Sequence, residues 1–220
     1  MTISLSVIPG DVLAASGKAL FNKAVHGLRQ KRLEQARDVL IEQMKNGKAD
    51  IYEAHEVDEF VAIAYRYMRA AQEGTARINL RLLAQIIAGQ KATKTLKASD
   101  FLYYADLVAS LRREEIILLG SFARELKNET HIVRENNLDP SRSENTTERR
   151  ATKALDRLLI PSTFSSHSEL WATVSALSRT GLMLIARPST GGPYFTLTPI
   201  FEKMNALASF ENLEPEAEAA

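Results

Sequence analysis

Between residues 53 and 89 apolar side chains recur at helical spacing with very little relief. Val57, Phe60, Val61, Ala64, Tyr67, Met68 and Ala71 follow the i, i+3, i+4, i+7 rule. Ile78, Leu80, Leu82, Leu83, Ile86 and Ile87 then leave only a narrow polar stripe. A helix that apolar needs cover on almost every side, so it belongs at the centre of a core. The chain is therefore expected to be mainly α-helical and built around this segment. Gly74 is the expected point of a break or kink. Phe60, Val61, Leu83, Ile86, Ile87 and Trp171 are expected to be buried.

Flanking segments follow the same period. Residues 11–46 read as helix, with two helices meeting near Gly27 and Asn46-Gly47 as the stop. Such a segment reads either as a packed helical pair or as a dimerisation arm. Its apolar stripe is too short for a coiled coil, which favours the packed pair. Ser99 is expected to cap a helix carrying Phe101, Tyr104, Ala105, Val108 and Leu111 inward. Arg113 to Lys127 forms another. Residues 128–147 are rich in Asn, Ser and Thr and read as a mobile loop or linker. A short helix follows from Glu148 to Leu159, ended by Pro161. The last residues, with Glu211, Glu214, Glu216 and Glu218, read as an acidic tail.

The 220 residues suffice for a substantial core. With 45% hydrophobic and 25% charged residues, global disorder is not expected. There is no cysteine, which excludes disulfides, thiolate metal sites and cysteine nucleophiles. That suits a reducing compartment, so a soluble, cytoplasmic protein is expected. The first ten residues lack a basic n-region and their apolar run is broken by serines, so no signal peptide is expected. No run of about 18 apolar residues occurs, so no integral membrane segment is expected.

Residues 168–208 have a distinctive order. Ser168 can cap a helix through Leu170, Trp171, Val174 and Leu177, which stops at Arg179-Thr180-Gly181. Leu182–Arg187 and Tyr194–Leu197 read as two strands around a Gly- and Pro-rich turn. Thr198 caps and Pro199 opens a last helix. The strings Leu177-Ser178-Arg179-Thr180-Gly181-Leu182 and Tyr194-Phe195-Thr196-Leu197-Thr198-Pro199 resemble the end of a winged helix-turn-helix module. Residues 111–126 would supply its first helix and 148–159 its second. The resemblance covers about 40 residues well and about 100 loosely, and it is more specific for fold than for function.

That likeness divides the chain into a helical domain over 1–110, a winged-helix-like module over 111–208 with the 128–147 loop inserted, and the tail over 209–220. It also implies that the exposed face of the third helix could read DNA. That face would offer Glu169, Thr173, Ser175, Ser178 and Arg179, and the wing Arg187. One base against one acid on the helix, with one further base in the wing, is a weak phosphate surface. The order of helices followed by such a module is also similar to the Abi-alpha family, associated with phage defence. No functional residue is carried over from it.

Charge is concentrated elsewhere. The chain is nearly neutral, with 28 basic and 27 acidic residues. Yet Arg66, Arg69, Arg77, Arg81, Lys91, Lys94 and Lys97 face a single acid, Glu73, within one segment. On one continuous helix Arg66, Arg77 and Arg81 would fall within about 60° of each other. Two readings follow. The arginines form an anion surface for phosphate, nucleic acid or acidic lipid, or they pair with acids such as Glu53, Glu56, Asp58 and Glu59, the reading that is favoured. Peripheral membrane binding by this helix would need its apolar side exposed.

Catalytic and cofactor signals are lacking. Gly17-Lys18-Ala19 is no phosphate loop, because Val12 stands where a glycine is needed and Ala19 replaces the hydroxyl residue. No Gly-x-Ser-x-Gly elbow occurs. His55 and Glu59 share a helix face without further ligands at metal-site spacing. No catalytic, cofactor or metal residues are expected. The favoured reading is a non-enzymatic interaction or scaffold protein with a protein partner or self-association. The alternative is a nucleic-acid-binding regulator using the Arg66–Lys97 segment.

Overall fold

A computed structural model describes residues 10–46, 56–93, 97–135, 140–187 and 192–213, with side chains given for most of them. Among these residues the order is α1 (Gly10–Asn46), α2 (Glu56–Glu73), α3 (Arg77–Ala92), α4 (Ala98–Ser110), α5 (Arg113–Glu135), α6 (Pro140–Leu159) and α7 (His167–Ser178). Strands β1 (Met183–Ala186) and β2 (Tyr194–Leu197), α8 (Pro199–Ala208) and a 3-10 turn (Phe210–Asn212) follow. The mainly α class with one antiparallel hairpin is thus observed. The hairpin pairs Met183 with Leu197 and Ala186 with Tyr194.

The long apolar segment is two helices. Gly74 adopts φ +92°, a conformation open to glycine at little cost. Its N–H donates to Ala71 O and that of Thr75 to Ala70 O. These are the two bonds of a Schellman stop, and they satisfy carbonyls at the end of α2. α3 is the central element: Leu82, Leu83, Ile86 and Ile87 are fully buried. Helices α1, α2, α4 and α8 all pack against it. Its close approach to α8 depends on Gly89, where an added Cβ would stand 2.6 Å from Leu207 O. Asn79, also buried, donates from Nδ2 to Val108 O and Leu111 O, closing the C-terminus of α4.

Several expectations are corrected. α1 is one helix, not a pair meeting at Gly27, since a lone glycine costs a helix only about 1 kcal/mol. Val61 is 59% exposed because Ile63, Tyr67, Ala70 and Ala71 form the inward face of α2, and Phe60 and Trp171 are half-buried. Ser99 does not cap α4: Lys97 is the N-cap residue, and the Glu59 carboxylate on α2 accepts from the first helical N–H, at Ala98. The cap of α7 is Ser166, whose Oγ accepts from Glu169 N.

The expected loop at 128–147 is mostly helix. α5 runs on to Glu135 and α6 starts at Pro140, with 136–139 outside the described residues. Asn and Thr each cost a helix only a few tenths of a kcal/mol, and pairing between α5 and α6 outweighs that. Thr147 is buried, and Arg150 meets Glu129 across the pair at 3.4 Å. Pro140 suits a first helical turn, where its missing N–H costs nothing. The tail is shorter than expected too. Phe210 is fully buried against Phe201, ring centroids 5.2 Å apart, and 214–220 lie outside the described residues.

The boundaries of β2 and the start of α8 match the reading. Thr198 Oγ accepts from Phe201 N and Pro199 occupies the first turn. One hydrophobic cluster runs from Ala36 on α1 to Phe210.

Candidate functional site

The basic segment is divided by the Gly74 turn, so the single arginine stripe does not form. Arg66 and Arg69 lie on α2, and Arg77, Arg81 and Lys91 on α3. Lys97 is exposed at the start of α4, and Lys94 lies outside the described residues.

Arg66 is held by an acid not anticipated. Its Nη2 donates to Asp106 Oδ1 on α4 at 2.7 Å, and its Nε to the same oxygen at 3.3 Å. The Arg66 side chain is only 19% exposed, so this bond fixes a largely covered guanidinium between α2 and α4. Arg69 Nε bonds Glu73 Oε1 at 2.7 Å, one turn along the same helix. That hydrogen bond and the charge of Glu73 raise the pKa of Arg69, although the pair is exposed. Of the acids expected as partners, Glu53 lies outside the described residues. Glu59 is turned to the α4 N-terminus. The 40-residue gap from Arg66 to Asp106 hides their pairing from any local pattern.

Arg77 is exposed, and Arg81 and Lys91 are half-buried. Arg77 and Arg32 of α1 line a cavity of about 460 Å³ beside Gly74. Asp38 and Glu42 line the same cavity, so its walls carry both signs.

The face of α7 expected to read bases is mostly self-satisfied. Thr173 is buried, contrary to its expected exposure, and its Oγ donates to Glu169 O. Ser175 and Ser178 likewise bond the carbonyls of Trp171 and Val174, one turn back. Arg179 and Arg187 are exposed.

A polar cluster joins α6 to α7. Trp171 Nε1 donates to His167 Nε2 at 3.0 Å, and Asp156 Oδ2 stands 3.4 Å from the same nitrogen. The neighbouring serines cap the helix: Ser165 donates from both N and Oγ to Glu169 Oε2. A serine–histidine pair is not formed at this cluster. The two Ser165 hydrogen bonds, the hydroxyl first, lower the Glu169 pKa.

Glu169 should accordingly titrate below an ordinary glutamate when followed by carbon-detected NMR. Its contribution to stability is complete above the unfolded-state value and is lost as pH falls through the lowered folded value. Changing Ser165 to alanine should move the midpoint back up. An unchanged midpoint would show that the hydroxyl bond is absent in solution.

Metal-binding geometry is also lacking here: no group of three or more His, Cys, Asp or Glu suited to a metal ion occurs among the described residues. His55 lies outside them. No described helix is long and apolar enough to cross a membrane. No family model, no curated protein and no solved structure matches the chain.

Proposed function

We propose that this chain is a non-enzymatic, cytoplasmic interaction protein, in which residues 111–208 form a winged-helix-like module used for contact rather than base reading. The observation that carries this reading is the Arg66–Asp106 bond. It engages a largely covered arginine of the basic segment in a bond between two helices, where an anion surface would need it turned to solvent. The helix–helix–helix–hairpin–helix order of α5 to α8 supports the module. The hydroxyl groups of α7, satisfied by their own helix, support contact over base reading. The absence of cysteine suits a reducing compartment.

The alternative, nucleic-acid binding through the segment, draws its support from the exposure of Arg77. A titration with mixed-sequence duplex and single-stranded DNA and RNA at two salt concentrations separates the two. The interaction reading expects no binding even at low salt. The alternative expects steeply salt-dependent binding. Changing Arg77 and Arg81 to alanine should then lower the slope by about one unit for each phosphate no longer held.

A further inference from the structure

The cavity beside Gly74 has a charge direction. Arg32, Gln35, Val39 and Glu42 line it from one flank of α1, within an arc of about 80° at 100° per residue. Arg32 stands at the α2–α3 turn, and Arg77 lines the same end, at the first position of α3. Asp38 and Glu42 lie about 9 and 15 Å farther along α1. The cavity therefore runs from a basic end to an acidic end. Between them Ala36, Ala71 and Leu80, all buried, give it an apolar floor. Its volume of about 460 Å³ suits a small organic molecule.

The basic end is seated in the fold but not neutralised by it. The half-buried Arg32 lays its guanidinium over Gly74, where a Cβ would stand 3.0 Å from Nη1. Glycine thus serves the seat as well as the turn. Among the described residues neither Arg32 nor Arg77 has a hydrogen-bond or ion-pair partner. The acids of the cavity do not answer them. Asp38 is held by Arg37 at 3.1 Å, and Glu42 has no partner among the described residues either. The first turn of α3 contains no acid. Arg66 and Arg69 differ, because Asp106 and Glu73 take up their charge.

We propose that this cavity binds the phosphate monoester of a small organic molecule. The phosphate group carries a charge of about −2, which two guanidinium groups match. Their planar donor forks suit its oxygens. The body of the ligand lies on Ala36, Ala71 and Leu80. Asp38 and Glu42 repel further phosphates placed along the cavity, so a single phosphate group is selected over a chain of them. The site lies outside residues 111–208 and is independent of the contact role proposed for that module.

The test is an amide NMR titration of the full chain with inorganic phosphate, phenyl phosphate and tripolyphosphate, each against sodium chloride at matched ionic strength. Phenyl phosphate should give saturable shifts at Gly74, Thr75 and Arg77, and bind about tenfold more tightly than inorganic phosphate, which leaves the apolar floor empty. Arg32→Gln combined with Arg77→Gln should weaken phenyl phosphate by about tenfold or more. The denaturation midpoint of that variant should stay unchanged, because neither side chain has a partner in the fold to lose. Glu42→Gln should strengthen tripolyphosphate binding more than phenyl phosphate binding. Shifts that do not saturate, that sodium chloride reproduces, or that fall away from the cavity would overturn the proposal. So would undiminished phenyl phosphate binding by the double glutamine variant, or a Glu42→Gln protein with unaltered preference between the two ligands.

Discussion

Replacing Phe195 with alanine should destabilise the protein by about 3–5 kcal/mol. Phe195 is fully buried on β2. Its ring meets Trp171 of α7 at 4.8 Å between centroids and Phe122 of α5 at 6.1 Å, both edge-on. Edge-on pairs of this kind add to the burial itself. The Phe195 N–H donates to Thr152 Oγ on α6, and this bond survives truncation. The substitution therefore isolates the ring. Trp171 is the only tryptophan in the chain, so its fluorescence in a urea titration reports on the place disturbed. Circular dichroism should give the same midpoint if unfolding is two-state. A midpoint within error of the parent would mean that the three rings do not pack together in solution.

Leu83→Ala should cost about 2–5 kcal/mol. Leu83 is fully buried on α3, and four other helices pack against that helix. A cavity enclosed on so many sides has little freedom to collapse, which places the cost toward the upper part of that range. Alanine is the best helix former, so local propensity adds nothing to it. Val61→Ala on α2 is the matched control. At 59% exposure it should change stability by no more than about 0.5 kcal/mol. Guanidinium denaturation of the two variants side by side checks both. Equal destabilisation would contradict the inward face assigned to α2.

How far such features could be read in advance depended on their range. The central helix, the Gly74 break, strand β2 and the Thr198-Pro199 helix start are all written within a few residues of where they act. Periodicity, a left-handed glycine and a capping hydroxyl are local physics, and tertiary context did not override them. The outward turn of Val61 shows the limit. An apolar stripe that wraps much of a helix does not say which part faces the core. The neighbour decides, here α1 through the bond from Tyr67 to Ala36 O.

The candidate site was the least legible part. The count of bases from Arg66 to Lys97 is a property of the sequence, but a count has no geometry. The turn at Gly74 set the arginines on two separate helices, and Asp106, 40 residues away, took Arg66. Glu59 was similarly drawn to cap α4 rather than to neutralise an arginine. A single chain contains no local signal of either pairing, because both are fixed by how helices lie against one another. The helical ends of α5 and α6 within 128–147 belong to the same class. Their composition alone argues for a loop, since Asn, Ser and Thr offer little to bury. Packing of α5 on α6 supplied what propensity lacked. The sequence by itself determined the helical class, the single hairpin and where most elements start and stop. Only the tertiary structure decided which faces are covered and which charges are spent within the fold. Burial and ion pairing are agreements between distant segments, whereas caps and turns are agreements between neighbours.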